Sequence, residues 1–403
     1  MIPWLFVIGL GEDGLEALSP AARALIDSAE VLVGGERHLA KIPAGKAERI
    51  SWQDGFAAAL DKIEDRRGRR VVVPASGDPF CYGIGAALTR RFKIEEMIVM
   101  PAPSAFSLAA ARLGWSLPDV KTLTLHGRPL SGLNLFIAPN FKLLILSRDG
   151  ATPAEVAALL VEHGYGDSLI SVLEHMGGAA ERRLEGTAAD WKHDRCADLN
   201  VIAVRCRAAA DARVLSRAPG LPDDAFEHDG KITKREVRAI TLARLMPLPH
   251  QTLWDVGAGS GSVAIEWMRA ERTAKAVAIE RHADSCARIA RNAVNLGTPG
   301  LKVVEGRAPE ALDDLGPPPD AVFIGGGLVA EEGILKVCLD KLNPGGRLAA
   351  NAVTMEAEER LSAFRNEYGG EMSRISIERA ESLGRFSGYR PLMTVTQFTV
   401  TKR

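Results

Sequence analysis

The chain has 403 residues, 46% hydrophobic and 25% charged, proportions that exclude a disordered or fibrous protein and leave room for two or three domains. Its 50 Lys and Arg nearly cancel 51 Asp and Glu, giving a net charge of -1, so nothing global drives it toward nucleic acid or an anionic membrane. The five cysteines are scattered and never form C-x-x-C, which argues against a disulfide framework or zinc ribbon and fits a reducing cytoplasm.

No apolar run approaches the roughly 18 residues of a membrane span. Trp4 to Leu10 is apolar, but it lacks a basic leader and runs into Gly11-Glu12-Asp13-Gly14, so it reads as a first strand and not a signal peptide. Short β-branched runs then alternate with Ala/Leu-rich helical patterns, the habit of parallel α/β sheets. The patterns predict strands at 5–8, 31–33, 70–74 and 97–100, with helices at 20–28, 55–65, 83–91 and 104–113. A second cluster has strands at 122–125, 143–146, 169–173 and 200–205 and a helix near 153–163. The basic run Arg66-Arg67-Gly68-Arg69-Arg70 reads as a solvated helix end. Residues 208–229 hold Pro219, Gly220, Pro222, Asp223 and Asp224 with little apolar periodicity, and read as a linker between a domain at 1–207 and another at 230–403. The second domain opens with a helix at 234–245 and a strand at 252–256, and its last two strands fall at 374–377 and 394–400.

The clearest chemical signal is Asp255-Val256-Gly257-Ala258-Gly259-Ser260-Gly261, a strand running into a glycine turn and then a helix. Glycine permits positive φ and lets a ligand lie against bare backbone. The next strand ends in Glu280, about where a nucleoside-binding α/β unit places the acid for ribose hydroxyls. The spacing is D-x-G-x-G-x-G, not the G-x-G-x-x-G of dinucleotide sites. It resembles motif I of class I S-adenosylmethionine-dependent methyltransferases. Glu305-Gly306-Arg307-Ala308-Pro309, Asp320-Ala321-Val322-Phe323-Ile324 and Leu342-Asn343-Pro344-Gly345-Gly346 match later pieces of that family in order. After the fourth strand stands Gly325-Gly326-Gly327 in place of an Asn/Asp-Pro-Pro-Tyr set, which leaves floor space for a large, flat substrate.

Near the N-terminus, Gly9-Leu10-Gly11-Glu12-Asp13-Gly14 satisfies G-x-G-x-x-G literally, with Glu36 as the acid an NAD site would need. A lone match of that kind is weak. Pro74-Ala75-Ser76-Gly77-Asp78-Pro79 resembles instead the S-G-D-P signature of tetrapyrrole (class III) methyltransferases. The likeness continues through Pro101-Ala102-Pro103-Ser104, Leu125-His126-Gly127-Arg128-Pro129 and Leu173-Glu174-His175-Met176-Gly177-Gly178. The family's usual Pro and Asp of the opening loop are Glu12 and Gly14 here.

A class III module joined to a class I module resembles the precorrin-6Y C5,15-methyltransferase (decarboxylating) family, as does Asp229-Gly230-Lys231-Ile232-Thr233-Lys234-Arg235 just before motif I. The resemblance implies an α/β protein with an N-terminal bilobal tetrapyrrole-methylase fold and a C-terminal Rossmann-like class I fold. It further implies two S-adenosylmethionine sites, one per module. Thr233, Gly257, Ala258, Gly259, Ser260, Gly261, Glu280 and Ala308 would serve one, and Gly9, Gly11, Gly77, Asp78, Pro79 and Ser104 the other. An anionic tetrapyrrole would need arginines, because a guanidinium binds carboxylate bidentately. Arg385, Tyr389 and Arg390 in a loop between the last two strands, Asn351, and His126 with Arg128 are the candidates. No metal site, nucleic-acid partner or membrane contact is expected, the location implied is cytoplasmic, and a homo-oligomer (dimer or tetramer) is implied by the relatives. Two alternatives remain: another tetrapyrrole or a nucleic-acid base as substrate, or a non-catalytic, NAD-binding N-terminal module.

Overall fold

The computed structural model describes residues 2–403. The chain divides into two compact units, one running to Leu130 and resuming over Ile137–Val214, the other taking Ser131–Phe136 and Leu215–Arg403.

The first unit holds two five-stranded sheets. Strands β1 (Leu5–Leu10), β2 (Val31–Gly34), β3 (Glu48–Ser51), β4 (Val71–Ser76) and β5 (Met97–Met100) form a parallel sheet in the order β3-β2-β4-β1-β5. β1 is buried at every position, the continuous apolar run of a parallel strand covered on both faces. The second sheet, ordered β6-β7-β10-β8-β9, is mixed. Its strands are β6 (Val120–Thr124), β7 (Lys142–Leu146), β8 (Leu169–Glu174), β9 (Arg182–Thr187) and β10 (Asn200–Arg205). The sequence patterns missed β3 and β9. Both are edge strands, and each has one large aliphatic residue, Ile50 and Leu184, too few for an alternating pattern. The helix expected at 83–91 shrinks to Gly85–Leu88. Gly83 and Gly85 are spent on close approach to Pro79, whose carbonyl would lie 2.6 and 2.8 Å from a Cβ at either position.

In the second unit β11 (Thr252–Val256), β12 (Lys275–Glu280), β13 (Lys302–Glu305), β14 (Ala321–Ile324) and β15 (Arg347–Ala352) run parallel. β16 (Glu371–Ile375) and β19 (Val395–Thr401) complete a seven-stranded sheet ordered β13-β12-β11-β14-β15-β19-β16, with β19 antiparallel to both neighbours. Between them β17 (Glu378–Leu383) and β18 (Phe386–Pro391) form a separate hairpin. Alternate residues feed two cores: Trp254, Val256, Val322, Ile324 and Leu348 on one face, Leu253, Ala321, Phe323 and Ala349 on the other. The strand order reverses between β11 and β14, where open α/β sheets bind their ligands. The segment read as a linker is laid onto this unit, with Leu221 and Phe226 in its core.

Candidate active site

A cavity of about 780 Å³ opens at the carboxyl ends of β11, β12, β14 and β15. Gly257, Gly259 and Gly261 all have positive φ, +72°, +60° and +75°, so the turn after β11 cannot take ordinary side chains without strain. A Cβ on Gly257 would stand 3.0 Å from the backbone nitrogen of Gly326, so the loops after β11 and β14 meet at the switch point with only backbone between them. Gly261 lies behind the cavity, where a Cβ would strike Ile289 at 2.8 Å, and it begins the helix Ser262–Ala270.

Two buried acids face the cavity. Glu280 accepts from the backbone N–H of Gly259 at 3.0 Å and of His282 at 3.1 Å, which aims its carboxylate along the glycine turn. Asp255 accepts from the Ala264 N–H at 3.0 Å through Oδ2, while its Oδ1 has no partner among the described residues. Burial pushes the Asp255 carboxyl up to about 7, the Ala264 N–H opposing and the Glu280 charge adding to the rise. The Ser260 hydroxyl is also buried and unpartnered in this loop. Such orphaned polar atoms beside an open cavity suit a ligand with its own charged and hydrogen-bonding groups.

The strap before the helix Arg235–Leu245 is pinned from beneath. Arg238, fully buried, pairs with Glu266 at 2.6 Å and donates to the Thr233 carbonyl at 2.6 Å. Glu266 in turn accepts from the N–H groups of Gly220 and Leu221 at 2.6 and 2.9 Å. This network holds Thr233 at the cavity wall, and the N–H of Lys231, two residues earlier, donates to Asp229 Oδ1 at 3.0 Å. Across the sheet, Asn351 reaches the cavity from β15 and is tied to side chains, not loop backbone: it donates to Thr241 Oγ1 at 3.1 Å and accepts from Gln397 Nε2 at 2.9 Å. The rim carries Lys231, Lys234, Arg281 and Arg307, the last paired with Glu331 at 2.7 Å.

The hairpin does not put its arginines into this cavity. Ile377, Leu392 and Met393 at its base line the wall, whereas Arg385, Tyr389 and Arg390 are exposed outside the lining, Arg385 over the Phe386 ring and Arg390 3.4 Å from Glu381.

In the first unit, the turns after β1 and β4 converge. A Cβ on Gly9 would collide with the Gly77 carbonyl at 2.1 Å, and one on Gly77 would lie 3.3 Å from Ser104 Cα, so the three positions are packed backbone to backbone. A Cβ on Gly11 would meet Asp13 Oδ1 at 2.3 Å. Asp78 accepts from the Phe80 N–H at 2.8 Å, closing the turn through Pro79, and Ser104 caps the helix Ala105–Leu113. Tyr82 donates to the Thr122 carbonyl and lies under the Arg128 guanidinium at 5.6 Å, which brings Arg128 beside that turn; His126 is exposed nearby. Glu12 is gripped by Arg37 and Lys41 and lies 3.6 Å from His175. Burial works to raise its pKa, but Lys41, Arg37 and His175 together hold it below the usual carboxylate value. His38, beside Ser76 at 2.8 Å, is pushed down to about 4 by burial and then by Arg37 and Lys41.

Comparison with known proteins places these two units. Residues 5–191 match the family model for tetrapyrrole (corrin/porphyrin) methylases, and 224–402 match a precorrin methyltransferase domain. A relative from Sinorhizobium sp, named precorrin-6Y C(5,15)-methyltransferase [decarboxylating], is 47% identical over 403 residues, 99% of this chain and 97% of the relative. The chain belongs to that family. Two shorter relatives carry one activity each in their names. A cobalt-precorrin-7 C(5)-methyltransferase of Salmonella typhimurium is 37% identical over 44% of this chain and 88% of its own. A probable cobalt-precorrin-6B C(15)-methyltransferase (decarboxylating) of Sulfurisphaera tokodaii is 32% identical over 43% of this chain and 91% of its own.

Within this precorrin methyltransferase, Thr233, Gly257, Ala258, Gly259, Ser260, Glu280 and Ala308 all border the cavity, as do Gly325 to Gly327 and Asn351. Sequence reasoning passed over Lys231, Lys234, Arg281, His282 and Arg307, although each stands beside a residue it had singled out. It also missed Thr241 and Gln397, whose part comes from contacts at sequence distances of 110 and 46 residues from Asn351. Among the described residues no helix is long and apolar enough to cross a membrane, and no cluster of three His, Cys, Asp or Glu is placed to hold a metal.

Proposed function

We propose that the chain is an S-adenosylmethionine-dependent enzyme that methylates precorrin-6Y (precorrin-6B) at C5 and C15 and removes the carboxyl of the C12 acetate, giving precorrin-8x in cobalamin biosynthesis. The observation that carries this reading is end-to-end likeness to a bifunctional relative together with a cavity whose glycine turn, buried acids and glycine floor suit a nucleoside beside a flat substrate. The first unit would act at C5 and the second at C15 with decarboxylation, a division supported by shorter relatives named for each activity alone.

S-adenosylmethionine supplies an electrophilic methyl group on its sulfonium. The chain's own residues bind and orient. Glu280 would take the ribose hydroxyls, the Gly257–Gly261 turn would allow close backbone contact, and Asp255 would present a carboxylate that a neighbouring cation keeps ionised. Gly325 to Gly327 leave room for the macrocycle, and the four rim cations, with Arg385, Tyr389 and Arg390 on the hairpin, would receive its carboxylates. Holding carbon, methyl and sulfur in line contributes several kcal/mol of the barrier reduction. In the first unit Gly9, Gly11, Gly77, Asp78, Pro79 and Ser104 would form the second cofactor site, with His126 and Arg128 toward the substrate. We further propose a dimer or tetramer, which light scattering would check.

Titrating the intact chain with S-adenosylmethionine should reveal two equivalents and no binding of NADH. Incubation with the reduced tetrapyrrole should add two methyl groups and release one carbon dioxide, and Glu280→Ala should leave one methyl transfer, at C5. Loss of the C5 methyl with retention of the C15 methyl in Glu280→Ala would reverse the division of labour.

A further inference from the structure

The cavity of the second unit has two kinds of wall. Its Lys and Arg side chains, Lys231, Lys234, Arg281 and Arg307, come from the strap before the helix Arg235–Leu245 and from the ends of β12 and β13. The lining residues beyond β14's loop are Ile334, Asn351, Val353, Ile377, Leu392, Met393 and Val395, so among the described residues Asn351 is the one polar side chain on that wall.

Its orientation is set by hydrogen-bond valence. Thr241 spends its hydroxyl proton on the Val237 carbonyl at 2.8 Å, so Oγ1 can only accept from the amides that face it. The Asn351 and Gln397 atoms at 3.1 and 2.9 Å must therefore be nitrogens. The second N–H of Gln397 goes to Asn351 Oδ1 at 2.9 Å. Thr241 and Gln397 are buried, so this arrangement is shielded from water. Among the described residues one N–H of Asn351 has no partner, so the cavity wall carries a donor without a charge attached.

We propose that this wall is the decarboxylation subsite, where the spare N–H of Asn351 holds the substrate carboxylate that leaves as carbon dioxide. This rests on the reading of the second unit as the decarboxylating one. A guanidinium on the departing carboxylate would stabilise the ground-state anion and lose that interaction as neutral carbon dioxide forms, which raises the barrier. A neutral amide orients the group with less ground-state stabilisation, and an apolar wall favours the transition state, in which charge spreads into the ring. The bond between the acetate methylene and its carboxyl carbon breaks, and the electron pair passes into the conjugated macrocycle. A proton from water then converts the exocyclic methylene to methyl, so carboxylate and proton become carbon dioxide and a C–H bond. The other acidic side chains of the substrate would meet the cationic wall, which selects the one carboxylate that can leave. Thr241 and Gln397 are positioning residues that act through Asn351.

The test uses the full chain with S-adenosylmethionine and substrate labelled in the acetate carboxyl. Asn351→Ala should slow carbon dioxide release about 10- to 100-fold, the worth of a hydrogen bond to a charged group. Asn351→Asp, which sets a carboxylate against the carboxylate, should slow it at least as much. In both variants carbon dioxide release should fall at least about fivefold further than methylation of a tetrapyrrole already bearing methyl at C12, a split that a merely structural loss would not produce. Thr241→Val should show a smaller loss of the same kind. Unchanged carbon dioxide release in both Asn351 variants would overturn the proposal, as would equal loss of methylation on the pre-decarboxylated substrate. If the unaltered chain methylated its substrate but released no carbon dioxide, the assignment of decarboxylation to this protein would fall instead.

Discussion

Replacing Asp255 with Asn should make the free protein more stable and the cofactor complex weaker. The carboxyl sits at the end of β11 with one hydrogen bond, from the Ala264 N–H, and one oxygen unpartnered. Burial lifts its pKa from 3.8 to about 7, a preference for the neutral form of roughly 4 kcal/mol at 1.36 kcal/mol per pH unit. Because the folded value lies above the unfolded one, the native state holds the extra proton between these values. The stabilisation is complete below about pH 4 and is lost as pH rises through about 7. An Asn carbonyl keeps the Ala264 bond without ionising, but its amide NH2 arrives where no acceptor waits, at a cost of about 1–3 kcal/mol. The net gain at pH 8 is then about 1–3 kcal/mol, or roughly 2–10 °C in the melting of a unit this size. At pH 5 the gain should vanish or reverse. At pH 8, where the Asp255 carboxyl is ionised, its loss beside a cationic ligand should weaken S-adenosylmethionine about 10- to 100-fold. Differential scanning calorimetry at pH 5 and 8, with titration calorimetry for the cofactor, reads both effects. A variant less stable than the parent at pH 8, or one with unaltered cofactor affinity, would refute the reasoning.

Arg238→Met removes one partner of a buried pair and leaves the Glu266 carboxylate uncompensated, so chemical denaturation should show about 3–5 kcal/mol of lost stability. The double variant Arg385→Ala, Arg390→Ala should raise substrate KM while S-adenosylmethionine affinity stays constant; an unchanged KM would remove the hairpin from substrate recognition. His38 titrates near 4 in the fold against 6.5 as a free side chain, so the native state binds fewer protons across that window. Stability from this residue is present above pH 6.5 and lost as pH falls through about 4. Urea midpoints of His38→Asn should accordingly fall less steeply than the parent's over that interval.

The features legible in the sequence are those whose cause is local. Positive φ strongly favours glycine, so Gly257, Gly259 and Gly261 announced the turn that lines and backs the cavity, and buried parallel strands such as β1 stood out as unbroken apolar runs. Edge strands β3 and β9 were hidden because solvent on one side removes the apolar signal. Composition marks the hairpin's Arg385, Tyr389 and Arg390 as substrate candidates, but only the pairing of β17 with β18 shows that they would meet a substrate outside the cavity lining and not within it.

By itself, then, the sequence determined two α/β units, the order of their motifs and the residue types at each turn, since all of these depend on neighbours a few positions away. The tertiary structure alone decided which side chains share a wall. Asn351 becomes a fixed hydrogen-bond donor only because sheet register sets Gln397 opposite it and a helix lays Thr241 across both. Arg238 can be buried only where Glu266 and the strap's carbonyls converge on it. Such sites are sums of long-range contacts, and their energy comes from the exclusion of water that folding achieves at that place, which no local pattern encodes.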